Sequence, residues 1–185
     1  LEPFRRGVRT AVNLPERKRN RRGVISRFLD DILSGGNDFS VYYKMEITAP
    51  ATSSLSVDNK YGDVIIVNSS GEIDVTNSSG KITLDKCKGT ARLDNKYDDI
   101  DVNGFDGPLF IENSSGSVSV ENIRGDVTIQ NSYKPVLFRN IDGTVTVDSE
   151  SGSLDGSLVK GDCIIENSYK DIDIDRVRGS LRIKG

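Results

Sequence analysis

Residues 54–89 read SLSVDNKYG-DVIIVNSSG-EIDVTNSSG-KITLDKCKG, four consecutive blocks of nine residues built on one pattern. The same phase continues without an insertion to residue 185, so residues 54–185 divide into fifteen blocks, of which the last is incomplete. The second position is apolar in all fifteen blocks, and the fourth is apolar in every block except the one that carries Gly156. The ninth position is Gly in eleven of the fourteen complete blocks.

Each block predicts one short strand followed by a turn. Side chains two residues apart point to the same face of a strand, so positions two and four face inward and positions one, three and five face solvent. The next four residues, usually Asn-x-x-Gly, suit a turn because Asn tolerates the left-handed conformation and Gly adopts positive φ readily. We therefore predict an all-β, parallel β-solenoid, right-handed as parallel crossovers normally are.

The structural unit spans two blocks, because the turns of odd and even blocks differ. The resulting coil has 18 residues, and about seven coils at ~4.8 Å each give a rod on the order of 35 Å long. Turns of the even blocks carry an apolar seventh residue, namely Cys87, Phe105, Ile123, Ile141, Val159 and Val177. Turns of the odd blocks carry an Asn that we predict to stack as a ladder, each amide bonding the next. These residues are Asn59, Asn77, Asn95, Asn113, Asn131 and Asn167, with Ser149 in the remaining coil.

A longer period of 36 residues is carried by tyrosine. A coil of 36 residues with four sides would enclose an interior too wide for two short side chains per side, whereas two sheets about 10 Å apart fit Val, Ile and Leu. We therefore interpret the period as alternation along one edge of 18-residue coils, with rings about 10 Å apart. Such a row could stack the sugar rings of a linear glycan, or each ring could pack over the serine of the adjoining coil and close the turn. The tyrosines are Tyr61, Tyr97, Tyr133 and Tyr169.

Composition and charge disfavour several classes of function. Residues 1–53 carry ten basic and six acidic residues, and the remainder carries 15 and 22, which gives a net charge of −3. An acidic repeat disfavours nucleic acid, and the absence of histidine removes the commonest metal ligand and proton shuttle. No apolar run approaches the roughly 18 residues of a membrane-spanning helix. We expect no nucleic-acid partner, no transmembrane segment, no metal and no cofactor.

Two further segments precede the repeat. Residues 1–39 are predicted to form a basic extension with a short helix over residues 24–34, where apolar residues have helical spacing. Residues 40–53 are predicted to form an entry strand that caps the first coil, because a solenoid must cover its open end. The basic run at residues 17–22 predicts an exposed loop, and residues 54–185 form the solenoid.

Outward carboxylates are the best candidates for acid–base chemistry of the kind that glycosidases use. Aspartates on an outer face also serve simply to solvate a sheet, and that interpretation accounts for all of them, so we predict no enzymatic activity. The candidates are Asp99 and Asp101 on one strand and Asp171, Asp173 and Asp175 on another.

The two cysteines, Cys87 and Cys163, both fall at inward positions. They lie about four coils apart, or ~19 Å, which is far beyond the reach of a disulfide. We predict two buried free thiols that act as small apolar residues.

The entry Tyr43-x-Met-Glu-Ile-x-Ala-Pro-Ala is followed by Leu55-Ser-Val-Asp-Asn-Lys-Tyr-Gly-Asp-Val and by recurring Asn-Ser-Ser-Gly and Gly-Asp-Val pieces. In these features the chain resembles the bacterial adhesin-like β-solenoid families, which are cell-envelope domains of unknown function. The resemblance covers residues 40–185. It implies a β-solenoid, export and an extracellular or cell-envelope location, and it supplies no catalytic residues.

The favoured function is accordingly a non-catalytic, exported adhesin-like or cell-envelope scaffold. One alternative is a self-assembling subunit, head-to-tail or filamentous, because the final block breaks off at Ser-Leu-Arg-Ile-Lys-Gly and an uncapped coil invites another chain to pair. The other is a glycan-binding module that uses the tyrosine edge. The expected partners are a second copy, giving a homo-oligomer or fibre, or an envelope polymer or glycan.

Overall fold

A computed structural model of the protein describes residues 51–185. These residues form fifteen β-strands and contain no helix. The predicted helix at residues 24–34, the basic run at 17–22 and residues 40–50 of the predicted entry strand lie outside the described residues. The strands are β1 (Leu55–Tyr61), β2 (Val64–Val67), β3 (Ile73–Ser79), β4 (Ile82–Lys88), β5 (Ala91–Asn95), β6 (Ile100–Asp106), β7 (Leu109–Asn113), β8 (Val118–Arg124), β9 (Val127–Asn131), β10 (Val136–Ile141), β11 (Val145–Ser149), β12 (Leu154–Val159), β13 (Cys163–Asn167), β14 (Ile172–Val177) and β15 (Leu181–Lys184).

The strands alternate between two parallel sheets. Odd-numbered strands form an eight-stranded sheet and even-numbered strands a seven-stranded one, each in chain order. Every strand pairs with the strand two places along, at an offset of 18 residues, as Leu55 with Ile73 and Val64 with Ile82. The all-β parallel solenoid with about seven coils of 18 residues is thereby confirmed.

The core fills the space between the two sheets. Inward side chains such as Ile73, Val75 and Ile82 are completely buried, whereas their chain neighbours face solvent. Burial of this kind stabilises the fold by about 25 cal/mol per Å² of apolar surface removed from water. Because every coil presents the same inward positions, the core is one continuous column.

Gly156, the one inward position without a side chain, has a packing explanation. It lies opposite Phe138 of the preceding coil, whose ring is completely buried. A Cβ atom at residue 156 would stand 2.1 Å from Cζ of that ring and 2.8 Å from Cδ1 of Ile174. The glycine therefore makes room for a large neighbour, and the break in the sequence pattern is a compensation between adjacent coils.

The glycines that end the blocks stack directly on the preceding coil. A Cβ atom at Gly80 would lie 2.2 Å from the carbonyl oxygen of Gly62, and one at Gly107 would lie 1.9 Å from that of Gly89. Gly80 and Gly107 also have φ of 124° and 139°, a conformation that L side chains rarely adopt. Close approach and backbone conformation both require glycine here.

The recurring Gly-Asp pieces also have a structural role. The carboxylate of an aspartate at the first position of a block accepts the backbone N–H of the residue 18 places later, which ties one coil to the next. The bonds run from Lys81 to Asp63 at 2.9 Å, from Ser117 to Asp99 at 2.7 Å, and from Thr144 to Asp126 and Ser180 to Asp162 at 2.8 Å.

Candidate functional site

The last residues of the odd-numbered strands and the turns that follow them form one edge of the solenoid, which we call the tyrosine edge. It comprises residues 59–62, 77–80, 95–98, 113–116, 131–134, 149–152 and 167–170. The last residues of the even-numbered strands and the turns that follow them form the other edge, which we call the apolar edge. It comprises residues 68–71, 86–89, 104–107, 122–125, 140–143, 158–161 and 176–179.

All four tyrosines project into solvent from the tyrosine edge. Tyr61, Tyr97, Tyr133 and Tyr169 are 67%, 66%, 61% and 78% exposed. Successive rings are two coils apart, or about 10 Å. Ser79 lies in register with Tyr61 on the intervening coil and is half-buried. The edge therefore presents a regular row of largely uncovered aromatic rings, separated by small hydroxyl-bearing side chains.

The asparagines of this edge are stacked in register, and all but Asn59 at the first coil are buried. Their hydrogen bonds differ from the predicted amide-to-amide ladder, which is formed only where Nδ2 of Asn59 donates to Oδ1 of Asn77, at 3.0 Å. The other amides, those of Asn77, Asn95, Asn113, Asn131 and Asn167, donate to backbone carbonyls of their own turn or of the preceding turn.

The reason for this difference is the position of the turn carbonyls. Nδ2 of Asn95, for example, donates to the carbonyl of Asp98 at 2.8 Å and to that of Gly80 in the preceding coil at 3.0 Å. Backbone carbonyls that would otherwise be buried and unpaired are costly, so they take the amide donors first. The column therefore holds the turn backbone. Four of its acceptor atoms have no hydrogen-bond partner among the described residues: Oδ1 of Asn113, Asn131 and Asn167, and Oγ of Ser149.

The apolar edge is built differently. Its inward residues Cys87, Phe105 and Ile123 are 1% exposed, as the spacing of even blocks predicts, and Ser69 takes the same buried position in the first coil. The residue before each of them has a left-handed backbone, with φ of 53° at Lys86 and between 56° and 72° in the other coils. The left-handed residues are Asn68, Lys86, Gly104, Asn122, Asn140, Leu158 and Arg176.

A groove of about 510 Å³ runs along the apolar edge. Charges on its rim alternate between neighbouring coils, since Lys88, Asp106 and Arg124 lie in register and are followed by Asp142 and Lys160. Nζ of Lys160 lies 2.7 Å from Oδ2 of Asp142. Opposite charges on adjacent coils attract each other, and this pair joins two neighbouring coils of the edge.

Exposed asparagines at and beside the apolar edge form a series of amide-to-amide hydrogen bonds of the kind expected for the tyrosine edge. Nδ2 of Asn122 donates to Oδ1 of Asn103 at 2.8 Å, and Nδ2 of Asn140 donates to Oδ1 of Asn122 at 2.7 Å. Sequence reasoning missed this chain, although the recurrence of Asn at residues 122 and 140 was the available signal.

No family model, no curated protein and no solved structure matches the chain. Among residues 51–185 there is no cluster of three or more side chains suited to binding a metal ion. In the same part of the chain, no helix has the length and apolarity needed to cross a membrane.

The charges of residues 54–185 are segregated by surface. The outward positions of the two sheets carry 18 of the 22 acidic residues and five of the 15 basic ones. The two edges carry the other four acidic and ten basic residues. The flat faces are thus strongly negative and both edges are positive, a division that the net charge of the chain conceals.

The carboxylates considered for catalysis are engaged with neighbouring coils or lie on an open face. Oδ1 of Asp99 accepts the backbone N–H of Ser117, and Asp101 forms an ion pair with Lys81 that raises the pKa of this lysine. Asp175 pairs with the adjacent Arg176. Asp171 and Asp173 are exposed on the loop and strand of the last complete coil.

Both cysteines are buried and unbridged, as predicted. Burial raises the pKa of the Cys163 thiol to about 11, and burial raises the pKa of Cys87 as well. The thiolate is the reactive form of cysteine, so neither residue is suited to nucleophilic chemistry at neutral pH.

Proposed function

We propose that this chain is a non-catalytic, adhesin-like or scaffold β-solenoid of the cell envelope or extracellular space, and that it binds glycans along the tyrosine edge. The observation that carries the proposal is the row of four tyrosines, each at least 61% exposed and spaced at two-coil intervals. The resemblance of residues 40–185 to adhesin-like envelope domains supports the location.

The chemistry of tyrosine suits such a row to contact with sugars. The face of a tyrosine ring packs against the C–H groups of a pyranose, and its hydroxyl offers a hydrogen bond. Parallel hydrogen bonding between coils fixes the distance from ring to ring before any ligand arrives. A preorganised surface loses little conformational entropy on binding, which favours a long, repetitive ligand over an isolated sugar.

The test uses the chain's own alternation. Serine occupies the equivalent position in the intervening coils, so replacing the four tyrosines by serine should leave the turns intact. On an array of linear glycans we expect the wild type to bind and the quadruple variant to lose at least about tenfold in affinity, because each lost stacking contact is worth roughly 0.5–1.5 kcal/mol.

A matched control is provided by Phe110, which is 42% exposed on the outer face of β7. Phe110→Ser removes an exposed aromatic ring away from the edge and should leave glycan binding unchanged. Circular dichroism and thermal unfolding of both variants would establish that the solenoid is retained. Equal binding by the wild type and the tyrosine variant, or binding by neither, would contradict the proposal.

The proposed location in the cell envelope or extracellular space is tested separately from glycan binding. Antibodies raised against residues 54–185 should label intact source cells as strongly as permeabilised ones if the protein is exported. Labelling that requires permeabilisation would remove the envelope from the proposal, although not the tyrosine edge.

A second candidate function is self-assembly into head-to-tail oligomers or fibres. Within the described residues β15 pairs on one side only, with β13, and its Leu181 and Ile183 are 47% and 48% exposed. An exposed apolar edge strand is a template for pairing with another chain. Light scattering over a concentration series should then show oligomers that Leu181→Ser together with Ile183→Ser abolishes, and a monomer at every concentration would dismiss this candidate.

Finer features of the fold belong to the proposal as well. We propose a right-handed path, nine-residue strand-and-turn units, and an N-terminal cap formed by the helix at residues 24–34 and the entry strand at 40–53. An experimental electron-density map of the whole chain would test all three, and a left-handed path or a first coil covered by nothing would refute the corresponding feature.

A further inference from the structure

A lysine stands next to every tyrosine of the tyrosine edge. Nζ of Lys60 lies 5.6 Å from the centroid of the Tyr61 ring. All four lysines are exposed, and none of them forms an ion pair with a described residue. Lys60 and Lys96 precede their tyrosines, whereas Lys134 and Lys170 follow theirs.

From this pairing we infer that the ligand is an acidic linear glycan that carries one carboxylate per disaccharide. This inference rests on the proposed function and specifies its ligand. Each two-coil interval offers one ring to stack a sugar and one ammonium group to pair with a carboxylate. The interval of about 10 Å is comparable to the length of a disaccharide in an extended glycan. The row of rings and the polymer would therefore share a period, and each lysine lies within one residue of its ring.

The flat faces of the solenoid favour this orientation. The outward positions of the two sheets carry 18 acidic and five basic residues, whereas the tyrosine edge carries four lysines against Asp98 and Glu150. Charge repulsion would keep an acidic polymer off both faces. Asp58 and Asp63 each lie only two residues from Lys60 or Tyr61, within the screening length of about 8 Å, so a ligand seated at the edge has to pair its carboxylates directly with the lysines.

The apolar edge is the natural competitor, since its net charge is higher, with six basic and two acidic residues. Charges alternate at one of its positions over five coils, from Lys88 to Lys160, and Lys160 is already paired with Asp142. It presents no tyrosine. An acidic glycan bound there would compete with Asp142 for Lys160 and would find no ring to stack on, so the tyrosine edge is the better site.

The decisive probes are hyaluronate oligosaccharides, which carry one carboxylate per disaccharide, and their carboxyl methyl esters, which have the same backbone without charge. Calorimetric titration at low salt should show binding of the acid form, at least about tenfold weaker binding of the ester, and loss of that difference in high salt. Unsulfated chondroitin should behave like hyaluronate.

Two variants with equal changes in charge separate the edges. Replacing Lys60, Lys96, Lys134 and Lys170 by Gln should reduce affinity for hyaluronate about tenfold while retaining weak binding of the ester, since the rings are intact. Replacing Lys88, Arg124, Lys160 and Arg178 by Gln removes four charges from the apolar edge and should leave affinity within about twofold of the wild type. A larger loss in the second variant than in the first would overturn the inference.

The length of the oligosaccharide provides an independent test. Tyr61 and Tyr169 are six coils apart, or about 29 Å, so affinity should rise with each added disaccharide and level off near four. Equal binding of acid and ester would overturn the inference about charge and leave the proposed function standing. No binding of either probe, with neutral glycans still binding on the array, has the same meaning. Failure of every glycan on the array would overturn the proposed function itself.

Discussion

The two edges of the solenoid solve one problem in two ways. Each must turn the chain by half a coil, seven times, without leaving buried backbone groups unpaired. The tyrosine edge does so with a buried amide that donates to turn carbonyls, as Asn95 does. The apolar edge does so with a left-handed residue that tucks an apolar side chain inward, as Lys86 does for Cys87. In both, the inward residue holds the turn, which frees the outward residues to vary.

The two edges differ chemically in these outward-facing residues. The apolar edge carries charges of both signs at its outward positions, and Asp142 and Lys160 pair there. The tyrosine edge carries exposed rings and lysines that form no ion pair within residues 51–185. Charged groups that pair with each other stabilise the solenoid, whereas groups left exposed are available to a ligand. This difference is the reason to place binding at the tyrosine edge.

The largest expected effects on stability come from truncating the inward side chain of each edge to alanine. Phe105→Ala opens a cavity in a completely packed turn and should lower the free energy of unfolding by about 3–5 kcal/mol. Asn95→Ala removes an amide and leaves turn carbonyls unpaired, which should cost about 1–3 kcal/mol. Urea unfolding followed by circular dichroism would measure both. A cost for Asn95→Ala equal to that for Phe105→Ala would show that the buried asparagines of the tyrosine edge stabilise the fold as much as the buried apolar residues of the apolar edge.

An effect comparable to that of Asn95→Ala is expected where the two edges differ in their terminal residue. Gly125→Ala, on the apolar edge, would place a Cβ atom 2.3 Å from the carbonyl oxygen of Gly107 at a φ of 150°. We expect a loss of about 1–3 kcal/mol. Asp98 occupies the matching place on the tyrosine edge without glycine, so Asp98→Gly should cost less than about 1 kcal/mol. Thermal unfolding of the two variants side by side would reveal a contradiction if Asp98→Gly were the worse of the pair.

Each edge also has a position that departs from its own pattern, and correcting it should stabilise the protein. Ser149 interrupts the asparagine column and its Oγ has no partner, so Ser149→Asn should add about 1 kcal/mol. Leu158 has a φ of 60° and is 39% exposed, so Leu158→Asn should add about 0.5–1 kcal/mol, because Asn tolerates this conformation better. Denaturant midpoints would report both, and Gln130→Asn, an exposed change on a face, serves as the neutral control.

The sequence predicted those features of the fold that repeat from coil to coil. The inward positions of residues 54–185 recur at fixed spacing, so strand order, coil length and the buried thiols could be read from them. The hydrogen-bond partner of each asparagine could not be predicted, because the choice between the next amide and a turn carbonyl depends on the exact path of the turn backbone. The reason for glycine at position 156 could not be predicted either, because it is the bulk of the Phe138 ring one coil away. Features shared by all coils were predictable, and features that depend on one neighbour were not.

The smallest expected effect concerns the aspartates that join one coil to the next after a turn. Hydrogen bonds from the backbone and side chain of Ser180 lower the pKa of Asp162, which follows the apolar edge. A carboxyl whose pKa is lower in the folded than in the unfolded chain stabilises the fold fully above its unfolded pKa, near 3.8, and this contribution is lost as pH falls through the folded pKa. Asp162→Asn should therefore lower stability slightly at pH 7 and flatten its decline between about pH 5 and pH 2. Asp106→Asn removes the same charge from an exposed position on that edge, and an identical flattening in this control would assign the effect to net charge instead of to the bond between coils.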